Sequence, residues 1–200
     1  MSPMPAGGGT KAKARQEAQR ERILEAARAC FSEGGFHGTG MSQGLIYRYF
    51  TNKAAIIRAI TDEQREERRE ALAGIATCSE LVDRLLEKVD AWRESGPGQT
   101  CEGGFDAALF LEVSAEATRD ADIAAVVTAQ EPQIWVDFED LVRRSAAAAG
   151  KPLEADAVRR RTVVMRCLVD GLILCYVRDP QQDREVLRHS LQEAITALCL

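Results

Sequence analysis

Histidine is almost absent from this chain of 200 residues, which holds only His37 and His189, and aromatic residues make up no more than 6% of it. The two histidines stand far apart, with no nucleophile-base spacing, metal motif or phosphate-binding glycine loop around them, so an enzyme is the poorest reading and no cofactor is expected. Cys30, Cys78, Cys101, Cys167, Cys175 and Cys199 are scattered without a Cys-x-x-Cys pair, which argues against structural zinc. Most are expected to be small, reduced core residues. Cys101 is the exception. It lies in the glycine-rich break from Ser95 to Gly104, where exposure is expected, and the neighbouring Glu102 works against thiolate formation. Long apolar runs are also missing, so no membrane span is expected. The opening Met1 to Gly9 lacks the apolar centre of an export signal, and the expected location is the cytoplasm.

What the chain does have is charge, unevenly placed. Residues 1–60 carry nine Lys or Arg against four Asp or Glu, while residues 61–200 have a balance of −10 within an overall −5. A basic head on an acidic body suits a specific DNA binder: the head gains from phosphate contacts and the body avoids coating DNA indiscriminately. Lys11, Lys13 and Arg15 are placed to follow the DNA backbone or minor groove, or simply to face solvent. Within the head, Gly44-Leu45-Ile46-Tyr47-Arg48-Tyr49-Phe50-Thr51-Asn52-Lys53 reads as a short DNA-facing helix. Its tyrosines, arginine and lysine offer donors to phosphates, and Leu45, Ile46 and Phe50 can anchor a small core.

With its flanks, this run resembles the TetR family of transcriptional regulators. The resembling string starts at Arg22-Ile23-Leu24-Glu25-Ala26-Ala27, passes through Phe31, Gly34, Gly35, Phe36 and Thr39, and resumes at Gly44 to Phe50 with Asn52-Lys53 behind it. Weaker similarity follows in Leu111 to Ala117, in Leu168 to Leu172 and at Asp179-Pro180. The resemblance implies an all-α protein: an N-terminal helix-turn-helix DNA-binding head and a C-terminal helical bundle for ligand binding and dimerisation. The expected division is a disordered tail over 1–11, the head over 12–60 and the effector-binding and dimerisation domain over 61–200.

One departure from the pattern bears on function. Only Gly40 and Met41 separate Thr39 from Ser42-Gln43-Gly44, where the family has a helix and a tight turn ahead of the recognition helix. A helix of about two turns plus a turn needs roughly nine or ten more residues. Either a segment of the molecule is missing from the sequence, or the gene encodes a true deletion.

Helical periodicity runs nearly throughout, with no convincing strand alternation. The first helix is expected over about 12–34, a second over 52–74 and further ones over 80–94, 105–118, 121–149, 154–178 and 183–200. Gly, Asp and Pro at Gly96 to Gly104, Arg119-Asp120, Gly150-Lys151-Pro152 and Asp179-Pro180 mark the breaks. Pro132 is expected to kink the long helix or mark a restart, and the charged run Asp62 to Glu70 to form a solvated connector. Apolar residues on more than one face of the last two helices, among them Met165, Leu168, Leu172, Tyr176, Val186 and Leu191, point to a homodimer contact as well as a core.

The family pattern implies DNA-binding roles for Thr39, Ser42, Gln43, Tyr47, Arg48, Tyr49 and Lys53. Gln43 would read an adenine edge and Ser42 would cap the recognition helix. Tyr47 and Tyr49 would contact phosphate or a base edge, Lys53 phosphate, Arg48 phosphate or guanine, and Thr39 the backbone. The partner would be a double-stranded, pseudo-palindromic operator with half-sites about one helical turn apart. For a small-molecule effector, expected to be largely apolar, the candidate residues are Trp92, Phe105, Phe110, Trp135, Phe138 and Met165. The function so read is a ligand-responsive repressor. The alternative is a helical small-molecule-binding dimer that has lost specific DNA binding with the missing helix.

Overall fold

The computed structural model of the chain describes residues 18, 19, 21–26, 48–95 and 107–199, and every regular element among them is helical. Residues 21–26 and 48–49 are short helical stretches of the head. Six longer helices follow: α1 (Lys53–Ala73), α2 (Cys78–Ser95), α3 (Ala107–Ala117), α4 (Ala121–Ala148), α5 (Ala155–Arg178) and α6 (Arg184–Cys199).

Short polar residues and glycines set the helix ends as the sequence foretells. Asn52 caps α1, its Oδ1 accepting from Ala55 N–H at 2.8 Å, and Asp120 caps α4 by accepting from Asp122 and Ile123 N–H. Just past the end of α4 stands Gly150, whose φ of 72° is the left-handed conformation that glycine enters without a Cβ penalty. Lys151 N–H then donates to Ala146 and Gly150 N–H to Ala147, a Schellman closure with Pro152 behind it. Asp183 opens α6 by accepting from Glu185 and Val186 N–H, and these bonds hold its carboxyl below the usual range.

α4 is the central helix, packing along α1 and against α2, α3, α5 and α6, while α2 lies on α6 and α5 touches α3 and α6. It continues unbroken through Pro132 to Ala148, so the expected restart near Gln130 does not occur. Pro132 forfeits one intrahelical hydrogen bond and crowds the Thr128 carbonyl, and the packing of α4 on five other helices offsets that cost. At the far end of α1, Arg144 of α4 donates to the carbonyls of Leu72 and Ala73 in the last turn and of Ile75 just beyond it, adding to the Ile75 N–H that already bonds Leu72.

Two hydrophobic clusters result. One joins Ile23, Leu24, Phe50, Ile56, Ile57 and Ile60 of the head to Leu109 and Val113 of α3 and Ile123 and Val126 of α4. The other fills the body between α2, α4, α5 and α6, with Leu86, Leu141, Met165 and Ile195 almost wholly enclosed.

The cysteines depart from expectation. Cys78 is buried but disulfide-bonded, and Cys167 and Cys175 are free but exposed. On α5 the buried stripe is Val158, Thr162, Met165, Leu172, Ile173 and Tyr176, which turns both thiols outward. Cys30 and Cys101 lie outside the described residues. No helix among the described residues is long and apolar enough to cross a membrane.

Candidate functional sites

The expected DNA-binding residues fall into two groups. Thr39, Ser42, Gln43 and Tyr47 lie outside the described residues, as does the junction between Thr39 and Ser42. Arg48, Tyr49 and Lys53 are described. Arg48 is exposed, Tyr49 is half-buried against the head cluster, and Phe50 is buried within it. Phe50 thereby anchors the end of the segment expected to face DNA to α1, whose first residue is Lys53. Lys53 Nζ lies 2.9 Å from Glu116 Oε2 near the end of α3, and Arg119 reaches the other oxygen of the same carboxylate at 2.9 Å. Lys53 first and Arg119 second hold the Glu116 carboxyl below its usual range.

The expected effector residues are also divided. Trp92, Phe138 and Met165 belong to the body core, Trp92 against Tyr176 with ring centroids 5.1 Å apart. Phe110 packs on that core from its edge, and Phe105 lies outside the described residues. Trp135 differs from the rest. It is half-buried, with the Arg166 guanidinium of α5 lying 4.8 Å from its ring centroid. Arg166 also grips Glu131, one turn before Trp135 on α4, by two bonds of 2.6 and 3.2 Å. A charge is thus held in place beside an aromatic face.

Sequence reasoning missed the groups around this pair. Arg68, inside the run expected to be a solvated connector, is instead drawn inward. Burial holds its guanidinium below the ordinary value, with Asp137 offsetting part of that cost and Arg166 adding to it. Asp170 of α5 has its carboxyl pushed up by desolvation against the pull of Arg166. Gln130 donates to Asp62 at 2.8 Å, and Gln133 donates to Asp137 at 2.8 Å. The signal lay in spacing: Arg68 stands eleven residues after Ile57 and four before Leu72, both buried, hence on the same face of α1. Alongside runs an open groove of about 540 Å³ between α1 and α4, lined by Arg69, Leu72, Gln133, Asp137, Asp140 and Arg144.

Comparison with known proteins bears on both regions. Residues 23–60 match the family described as bacterial regulatory proteins, tetR family. The HTH-type transcriptional regulator UidR of Escherichia coli K12 is 35% identical over 121 residues, 54% of this chain and 56% of the relative. The match thus spans little more than half the length of that relative. The HTH-type transcriptional repressor Rv1474c of Mycobacterium tuberculosis is 28% identical over 188 residues, covering 85% of this chain and 89% of the repressor. Among solved structures, Salmonella enterica GusR superposes with a TM-score of 0.60 at 25% identity, covering 90% of this chain and 96% of its own. FadR from Bacillus subtilis, solved in complex with stearoyl-CoA, gives the same TM-score of 0.60 at 17% identity over 90% of this chain and 97% of its own, a likeness of fold.

Proposed function

That the chain belongs to the TetR family of bacterial regulatory proteins is the premise from which we propose its function, a ligand-responsive transcriptional repressor that binds a pseudo-palindromic operator as a homodimer. The observation that carries the ligand response is the shared cluster. Ile56, Ile57 and Ile60 beneath the DNA-facing segment pack with Leu109, Val113, Ile123 and Val126 of α3 and α4. A ligand that favours one arrangement of the helical body therefore shifts the head, in proportion to its differential affinity for the two arrangements.

In this reading residues 12–60 form the head and 61–200 the effector and dimerisation domain, with α1 crossing the boundary as one helix. Gln43 reads a base edge, Ser42 caps the recognition helix, and Tyr47, Arg48, Tyr49, Lys53 and Thr39 position the backbone. Dimerisation is supported by the exposed apolar residues of the last two helices, Val163, Val164 and Val177 on α5 and Val186 on α6, the last 59% exposed. The effector is a small, largely apolar molecule held in the body. Trp135 and Phe110, half-buried, are better placed to meet it than the close-packed Trp92, Phe138 and Met165. No catalytic role and a cytoplasmic location complete the proposal.

Fluorescence anisotropy with operator DNA tests it. A two-fold symmetric site should bind with an affinity that falls steeply with salt, and Arg48→Ala should weaken binding. Salt-insensitive or absent binding would overturn it. The two residues between Thr39 and Ser42 favour a second reading, a ligand-binding dimer without specific DNA recognition. The intact mass separates the two. A chain heavier than 22.0 kDa, with extra residues after Thr39, restores the helix-turn-helix, and a matching mass supports the second reading.

A further inference from the structure

The ion pair between Lys53 and Glu116 joins head and body at a residue expected to meet a DNA phosphate. Lys53 opens α1 one turn before Ile56 and Ile57, and on α3 Glu116 follows Leu109 by seven residues and Val113 by three. Each therefore lies on, or beside, the face that its helix turns to the shared hydrophobic cluster, and the pair bridges the same two helices as that cluster. Keeping Lys53 Nζ 2.9 Å from Glu116 Oε2 requires α1 and α3 to keep their spacing. A change in the arrangement of the body is thus felt directly at Lys53.

The chemistry of the pair is competitive. An ammonium resting on a carboxylate is already neutralised, so a phosphate gains fully from Lys53 only by displacing Glu116. The ammonium has three donors, but a phosphate sharing it with the carboxylate sets two anions against each other. The pair is open enough for exchange, Lys53 keeping 35% of its side-chain surface and Glu116 20%. Release also costs the acid little. Arg119 stays on Glu116 Oε1 at 2.9 Å, so the carboxylate left behind retains a cation. We propose that Glu116 is a positioning residue that withholds Lys53 from DNA, so that the spacing of α1 and α3 sets how much of the Lys53 charge a phosphate can use. This rests on Lys53 as a phosphate contact in the repressor reading and gives that contact its regulation. An effector that closes α3 on α1 strengthens the hold and lowers DNA affinity, and one that parts them does the opposite.

Fluorescence anisotropy at low and moderate salt tests this with two labelled duplexes, one recovered by the full-length parent protein from a random-sequence pool and one unselected duplex of the same length. Phosphate contacts carry no sequence information, so both duplexes read Lys53. Glu116→Gln should bind each about two- to fivefold more tightly than the parent. Glu116→Ala should match it, which covers a glutamine variant that fails to fold. Lys53→Gln should bind more weakly, with a salt slope shallower by about 0.9, and in that background Glu116→Gln should add nothing. Glu112→Gln removes an exposed charge one turn earlier on α3, measures the share due to net charge alone, and should fall short of Glu116→Gln. A merely structural role for Glu116 would instead lower affinity by loosening the head. Affinity unchanged or lowered in both Glu116 variants, an equal gain from Glu112→Gln, or a gain that persists when Lys53 is replaced would overturn the proposal. If no duplex is selected from the pool, the repressor reading falls, while tighter binding of the unselected duplex by Glu116→Gln still upholds the role of Glu116. Selective binding with Glu116 silent does the reverse, and a parent that binds neither duplex overturns both.

Discussion

The head and the body are both closed by aliphatic side chains, yet they depend on each other unequally. Among the described residues, the body cluster begins at Leu72 and takes nothing from the head. The head cluster is completed by Leu109, Val113, Ile123 and Val126, which belong to α3 and α4. The body can therefore pack by its own residues, whereas the head borrows part of its core from the helices that would sense a ligand. A small unit that buries little surface by itself is marginal, and sharing a core adds to the stability of this one and, under the proposed function, links it to the ligand.

Matched core truncations are the strongest way to break that comparison. Ile123→Ala, in the shared cluster, and Leu86→Ala, in the body, should each cost about 2–5 kcal/mol in chemical denaturation. Only Ile123→Ala should also lower DNA affinity per folded molecule. Equal effects on DNA would mean that the head does not depend on its borrowed residues. Arg144→Met comes next, stripping the guanidinium from the carbonyls of Leu72, Ala73 and Ile75. A loss of about 1–3 kcal/mol is expected, with faster amide exchange after Ala73. Asn52→Ala removes the cap bonded to Ala55 N–H and should cost about 1 kcal/mol, read as exchange at the first turn of α1.

The smallest effect sharpens the link between Lys53 and the end of α3. Because Lys53 and Arg119 hold the Glu116 carboxyl below its ordinary value, its contribution is present above the unfolded carboxylate range. It fades as pH falls through the lowered value. Glu116→Gln should melt below the parent protein near neutral pH, by less than about 1 kcal/mol, and together with it in acid. A difference that persists in acid would assign the effect to packing.

Much of this architecture was legible in the sequence because helix ends are local chemistry. Asn52, Asp120, Gly150 and Asp179-Pro180 stop or start helices with their own side chains and backbones, and each does so within a residue or two of the expected place. The charged cluster was only partly legible: spacing puts Arg68 on the buried face of α1, but the charges it meets lie on other helices. Asp62 to Glu70 looks solvated because charges surround Arg68 in sequence, and only the packing of α1 along α4 brings it beside Asp137. Cys78 makes the same point, since nothing in its neighbours announces a disulfide. The Trp135 pairing with Arg166 likewise joins residues on separate helices.

The grip of Arg144 on the end of α1 makes that helix a lever with its fulcrum near Ala73. Its 21 residues give an arm of about 30 Å, so a tilt of about 5° at the fulcrum carries Lys53 through about 2.6 Å. Gearing of that kind would let a change too small to disturb the body core become a displacement comparable to the length of a hydrogen bond at Lys53, the end proposed to meet DNA.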